Sequence, residues 1–287
     1  MSTMTTTQAP SAWLPEGKGS LIIQPLATES VALRALGGLS AVAKAGTNSY
    51  RVPTVTADPT VAWVEEGEEI DESQLVQGEE HDTFHKVAGL SVITKELAND
   101  SDPKVAEQVG LGLARSIAKE IDAAFFGGRG ATDTKPPRGL KDITGTSAVS
   151  TTEWEDLDPF NAALMTAAGL GVTLGAWVAH PNDALALTQL RKAGGSNEPL
   201  LQPDPTQAAQ YMISGVPLLV TSAVEEGTVW GIPTADRVQL IVREDVAVET
   251  DSSVYFTSDK VVVKATARLT TLFPHPAAIA KIIITGP

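Results

Sequence analysis

Apolar side chains recur every fourth position from Val105 through Val109, Leu113, Ile117, Ile121 and Phe125. That spacing places them on one side of a helix. Asp102-Pro103 opens the segment with a carboxylate cap and a proline at the first helical position, and Gly127-Gly128 closes it. A helix from Pro103 to Phe126 rises about 36 Å at 1.5 Å per residue, a length suited to a spine with other elements laid along it. Gly110 and Gly112 weaken it by up to about 1 kcal/mol each relative to alanine. From Lys260 the period changes to two. Val261, Val263, Ala265, Ala267 and Leu269 alternate with Lys260, Lys264, Thr266, Arg268 and Thr270, and Val262 is the one apolar member of the polar side. This predicts a strand with one buried face. Val238 to Val242 is expected to pair with it in a long hairpin whose tip is Asp251-Ser252-Ser253.

Between these segments the pattern predicts an αβ region. Asp158-Pro159 starts a helix, Ala176 to Ala179 is a buried strand, and Pro181 to Lys192 is a helix stopped by Gly194-Gly195. Val216 to Thr221 is another strand. Near the N-terminus a short helix over Glu29 to Leu36 ends at Gly37-Gly38. Residues 1–20 are rich in Ser, Thr, Gln and Pro and are expected to form a mobile arm. The uncharged stretch from Pro159 to Asn182 is long enough to cross a bilayer. Its Asn161, Thr166, Thr173, Gly169, Gly171 and Gly175 instead fit a short helix, a turn and a strand. No internal repeat is visible, and the fold class is α+β.

Charge adds the oddest feature. The 287 residues carry a net charge of −14, and most of the excess lies in one place. From Val52 to His85 there is no Lys or Arg, while Asp58, Glu65, Glu66, Glu68, Glu69, Asp71, Glu72, Glu79, Glu80 and Asp82 are all acidic. The flanks alternate, Arg51 to Val55 and Phe84 to Ala88, and Pro53 and Pro59 oppose a central strand. The segment therefore reads as a long two-stranded hairpin, exposed and acidic at its tip. The isoelectric point near 4.7 argues against broad binding to nucleic acid or anionic membrane, because phosphate affinity rests on Lys and Arg. The absence of cysteine excludes disulfides, thiol catalysis, Cys-ligated zinc and iron–sulfur clusters. No Lys or Arg precedes Lys18 and no apolar core follows, so a secretory signal is not expected.

Candidate chemistry is sparse. His81 and His85, with Glu80 and Asp82 nearby, have metal-like content, but a four-residue spacing gathers ligands only on a helix. In an extended segment they read as solvated loop histidines. His180 before Pro181 and His275 between Pro274 and Pro276 read as structural. Gly110-x-Gly112 lies inside a helix, and Gly127-Gly128-Arg129-Gly130 follows one, so neither cradles a phosphate. There is no nucleophile elbow, no phosphate loop and no calcium-loop pattern. The residues thus assign no catalytic, cofactor or metal site, and no enzyme activity is expected. An arm and long hairpins do little to bury a monomer's core. They fit a chain whose extensions lie across neighbours in a symmetric assembly.

In this order, these residues resemble the tailed-phage major capsid protein family, with the Hong Kong 97-like shell fold. Ala62-Trp63-Val64-Glu65-Glu66-Gly67 followed by Ile70 is similar to that family's E-loop, and Lys86 to Leu97 to the strand leaving it. Pro103 to Phe126 resembles its spine helix. Trp177 to Pro181, Gly215-Val216-Pro217, Ala265-x-x-Arg268-Leu269 and Pro276-x-Ala278-Ile279-x-Lys281 resemble its A-domain and closing strands. The likeness runs from about Leu21 over nearly the whole chain.

The resemblance implies an N-terminal arm over residues 1–50 and an E-loop over 51–86. It implies a P-domain over 87–146 and 232–271, and an A-domain over 147–231 and 272–287. It further implies a major capsid protein that self-assembles as hexamers and pentamers into an icosahedral head shell. Such a shell forms in the host cytoplasm and encloses double-stranded DNA without sequence-specific binding. Separate scaffolding, portal and decoration proteins are the implied partners; no membrane or cofactor is. Trp63, Glu65, Glu66, Glu68, Glu69, Asp71 and Glu72 would lie over a neighbour, against basic residues drawn from Arg34, Lys44, Arg115, Lys119, Arg129, Arg138 and Arg268. Some members join neighbours by an isopeptide bond. Here no lysine lies between Val52 and His85, and Asp259 and Thr266 stand where the amide acceptor and the assisting glutamate are expected. The nearest alternative is an encapsulin-type nanocompartment shell that packages cargo enzymes.

Overall fold

The computed structural model describes residues 30–37, 41–42, 48–65, 67, 69, 71–100, 105–129, 135–192, 197–201, 211–234 and 237–285. The expected arm over 1–20, the Asp102-Pro103 cap, Lys44, Glu66 and Glu68 lie outside the described residues. The elements run α1 (Val31–Ala35), β1 (Ala41–Val42), β2 (Ser49–Ala57), β3 (Val76–Thr83), β4 (His85–Thr94), α2 (Lys95–Asp100) and α3 (Val105–Phe126). Then follow β5 (Ser147–Thr151), α4 (Asp158–Gly169), β6 (Leu174–Ala179), α5 (Pro181–Gln189), β7 (Met212–Ile213) and β8 (Val216–Val220). The chain closes with β9 (Thr228–Pro233), β10 (Gln239–Asp251), β11 (Lys260–Leu272) and β12 (Ala280–Ile284).

The spine helix α3 forms as the four-residue period predicts, and the same period explains why it touches two cores. A four-residue step overshoots a full turn by about 40°, so the apolar stripe winds around the helix. Midway, Leu113, Ile117 and Ile121 pack on Val87, Ala265 and Ala267 of β4 and β11. At its end Phe125 and Phe126 turn into the main core with Phe273, Trp230, Val178 and Leu240. The helix lies unusually close to the sheet below it. A Cβ on Gly110 would stand 2.9 Å from Val248 Cγ1, and one on Gly89 would stand 3.0 Å from Leu113 Cδ2.

That sheet has the order β1-β10-β11-β4. The alternation from Lys260 is realised in β11, where Val263, Ala265, Ala267 and Leu269 are buried. Its partner β10 is longer than the sequence suggests and runs to Asp251, paired with Val262. The connection therefore extends through Asp259, beyond the expected Asp251-Ser252-Ser253 tip. It closes on a 3-10 turn (Phe256–Ser258) and Asp259 at φ 48°. A second sheet has the order β5-β12-β9-β6-β8-β7. Its strand β6 is covered on both faces, with Ala176 and Val178 in the main core and Trp177 and Ala179 packed with Phe160. This accounts for its continuous apolar run.

The acidic segment is the expected two-stranded ribbon, β2 with β3, in a register that pairs Arg51 with His81 and Val52 with Glu80. The returning strand is Val76–Thr83 rather than the Phe84–Ala88 flank, because His85 to Thr94 is already paired with β11. Phe84 marks the break and packs with Tyr50 and Val52 on Ile241 and Leu272.

One buried carboxylate ties the N-terminal segment to the spine. Asp122 on α3 is 7% exposed and accepts hydrogen bonds from the Ser30 hydroxyl, Val31 N (2.9 Å) and Ala32 N (3.0 Å). It thereby satisfies the donors that begin α1. Replacing Asp122 with alanine strands these donors. We expect a loss of about 3 kcal/mol in denaturant unfolding, with amide protection lost first over residues 30–36. Retained protection there would contradict the assignment. Gly231, central in the second sheet, has no room for a methyl group. Its Cβ would lie 2.6 Å from Trp177 Cζ3 and 3.0 Å from Ala280 Cβ. Gly231→Ala is expected to cost about 1–3 kcal/mol by overpacking, read as a lower unfolding midpoint; an unchanged midpoint would show that the site relaxes freely.

Candidate functional site

Two surfaces carry the unusual chemistry: the base of the acidic ribbon and its tip. Residues two apart on a strand share a face, so β3 presents Glu80 and Asp82 together toward the segment after α3. Glu80 accepts from Arg138 Nη2 at 2.5 Å and from the backbone N of Phe273 at 2.9 Å. Asp82 Oδ2 lies 3.4 Å from Arg129 Nη2, whose Nε donates to Pro136 O at 2.8 Å. Asp142 holds the same segment, accepting from Arg129 N at 2.7 Å and Gly139 N at 3.0 Å. These are fastenings within one chain.

His85 belongs to this cluster. Its side chain is 12% exposed; Nε2 stands 3.0 Å from Arg129 Nη2 and Nδ1 stands 2.8 Å from Lys135 O. The solvated-loop reading of His85 is therefore corrected. It sits where β3 gives way to β4, packed against a turn that has no sequence neighbour nearby. His81 one turn of the pleat away is exposed, 3.9 Å from Glu79. His180 accepts from Asn182 N at 3.3 Å at the start of α5, a structural role as read from sequence. Burial and nearby Arg237 hold His275 below the ordinary histidine value. Among the described residues no group of three or more His, Cys, Asp or Glu is arranged to hold a metal ion. Among them also, no helix is long and apolar enough to cross a membrane.

The basic residues singled out from sequence divide into two sets. Arg129 and Arg138 fasten their own ribbon, and Arg268 lies 3.4 Å from Glu244 across the β10–β11 hairpin. Arg34 is exposed on α1. Arg115 and Lys119, one turn apart on α3, line a groove of about 680 Å³ with Val31, Ala118, Thr221 and Ser222. Among the described residues neither makes an ion pair. The ribbon's tip is the counterpart. Glu65, Glu69, Asp71 and Glu72 are exposed, and Trp63 is fully exposed at 104% beside Val61 at 95%. Among the described residues nothing covers this solvent-facing indole among carboxylates, and apolar area of that size is normally covered.

Asp259 is occupied within the chain. Lys95 Nζ lies 3.2 Å from its carboxylate, and Lys95 N donates to its carbonyl at 3.0 Å. On the same sheet Lys264 hydrogen-bonds Glu249 and holds that carboxyl below its usual range. Sequence reading missed Asp122 and Asp183. The second is 4% exposed and accepts from Trp154 Nε1 at 2.9 Å and Gly227 N at 2.8 Å. The available signal was a lone acid in an apolar run (Ile121-Asp122-Ala123-Ala124-Phe125), which burial forces to find donors.

Residues 19–283 match the model of the phage capsid family. Among solved structures, the chain is similar to one from Mycobacterium phage Bobi at TM-score 0.72 and 16% identity, covering 96% of each chain. It is similar to the capsid of a native GTA particle at TM-score 0.71 and 17% identity, covering 93% of this chain and 94% of that one. A virus-like particle from Pyrococcus furiosus follows at TM-score 0.56 and 15% identity, covering 87% and 91%. No curated protein matches. The shared architecture is the Hong Kong 97-like shell fold, and with the family match over most of its length the chain belongs to the phage capsid family.

Proposed function

We propose that this capsid shell protein builds the icosahedral head of a tailed bacteriophage around double-stranded DNA. The observation that carries the reading is the division of charge and apolar surface. The ribbon's base is satisfied by Arg129 and Arg138 of the same chain, while its tip, with Trp63, Glu65, Glu69, Asp71 and Glu72, is exposed and has no ion-pair partner among the described residues. The groove with Arg115 and Lys119 offers the complementary charge on the spine of another copy. By sequence, Glu66 and Glu68 are further acidic candidates for this contact, and Arg34 and Lys44 further basic ones. A chain at −14 suits a container, since it gives packaged phosphates little to grip.

The two sheets support the division into a P-domain over 87–146 and 232–271 and an A-domain over 147–231 and 272–287. The first sheet with α3 falls mainly in the one, its β1 coming from the arm range, and the second sheet in the other but for the last two residues of β9. Scaffolding, portal and decoration proteins would complete the particle, assembled in the host cytoplasm. In this reading the role is structural and the chain catalyses nothing. The encapsulin-type alternative draws on the Pyrococcus furiosus likeness, weaker than that to the phage structures. DNA rather than cargo enzyme in purified particles separates the two.

Exchanging Glu65, Glu66, Glu68 and Glu69 for lysine should block assembly, or make it strongly salt-dependent, while the subunit keeps its circular dichroism. Normal particle yield at low and high salt alike would mean that the tip simply faces water, where each exposed ion pair contributes only about 0–1 kcal/mol. A second expectation concerns covalent joining. With no ribbon lysine as donor, Asp259 held by Lys95 and Thr266 in place of a base, boiled particles should run as one band near 30 kDa. A ladder of multimers would contradict it.

A further inference from the structure

We propose that His85 is a protonation-sensitive latch at the root of the acidic ribbon. Arginine only donates hydrogen bonds, so the 3.0 Å contact from Arg129 Nη2 requires a bare lone pair on His85 Nε2. The proton then sits on Nδ1 and is donated to Lys135 O at 2.8 Å. The ring is neutral in this arrangement, and its neutrality lets it share Arg129 with Asp82. Adding a proton to Nε2 turns the acceptor into a donor and sets an imidazolium against a guanidinium. Asp82 Oδ2, 3.6 Å from Nε2, is placed to take the new N–H. Asp82 thus changes partner from Arg129 to His85, and Arg129 loses its contacts to His85 and to Asp82 of the ribbon.

The surroundings allow the exchange. His85 borders a cavity of about 480 Å³, lined also by Ile121, Ala124, Pro136 and Leu269, which gives the displaced guanidinium somewhere to move. The charged groups in contact with the ring are Asp82 from β3 and Arg129 from the segment after α3, where Lys135 offers its carbonyl; Lys86 from β4 and Glu120 from α3 line the same cavity, and β11 presents apolar Leu269. Among the described residues the remaining fastenings of the root are Glu80 with Arg138 and Phe273 N, and Phe84 on Ile241 and Leu272, none of them an imidazole; His81 lies exposed beside Glu79 within the ribbon itself. Acid therefore loosens one attachment of the ribbon and leaves its root in place.

The test is hydrogen–deuterium exchange of the full chain in one assembly state at about pH 7.5 and pH 5.5, with rates divided by the intrinsic exchange rate at each pH. Protection over residues 80–85 and at Arg129 is expected to fall about threefold or more in acid. His85→Gln keeps an acceptor near the Nε2 position and cannot be protonated, so its protection should not change with pH. Unchanged protection in the wild type, or an equal acid loss in His85→Gln, overturns the latch. Should the glutamine variant fail to fold, the ring ¹⁵N shifts of wild-type His85 decide. A proton on Nδ1 with bare Nε2 near neutral pH is expected, and a proton on Nε2 there overturns the proposal. The test is independent of shell formation.

Discussion

Everything in this chain hangs on the close seating of α3 against the β10–β11–β4 sheet. Glycines at Gly89 and Gly110 bring helix and sheet close enough for Leu113 and Val248 to fill the space a Cβ would need. Once seated, the helix organises both of its ends. Asp122 receives the start of α1, and Phe125 and Phe126 join the core shared with the second sheet. The segment after the helix, pinned by Asp142, carries Arg129 and Arg138 to the root of the ribbon. Losing the helix–sheet contact would release arm, core and ribbon together.

The ribbon follows a different logic. Ten carboxylates in 34 residues repel each other unless solvent or cations screen them. The fold solves part of this problem internally, at Glu79, Glu80 and Asp82, where Arg51, Arg138 and Arg129 are within reach. At the tip no cation pairs with the carboxylates among the described residues, and there the chain also exposes Val61 and Trp63. A monomer gains nothing from that expenditure of apolar surface. In the proposed assembly each tip would meet the groove of a neighbour.

Local periodicity made the main elements legible. The stripe from Val105 to Phe125, the alternation from Lys260 and the charge-free run into Trp177 each correspond to an observed element. What stayed hidden depended on contacts distant in sequence. The return strand of the ribbon was misjudged because the Phe84–Ala88 flank alternates as well as the true partner does, and β11 settles the choice. The length of β10 was likewise invisible, since Glu244 to Asp251 carry no clean apolar alternation and take their strand form from β11. At the site, the acidic tip was plain from composition. The intrachain role of Arg129 and Arg138 was not, because they lie more than forty residues from Asp82 and Glu80 in sequence. His85 was misjudged for the same reason.

The account stands or falls on where the ribbon's tip goes in an assembled particle. Cryo-electron microscopy of particles formed by the full chain, with a scaffolding partner supplied if needed, reads this directly. The expected map is a closed icosahedral shell in which Trp63 and the carboxylates beside it lie over an adjacent subunit, within reach of Arg115 and Lys119. Failure to form any closed particle, or a shell whose tips project into solvent, would contradict it.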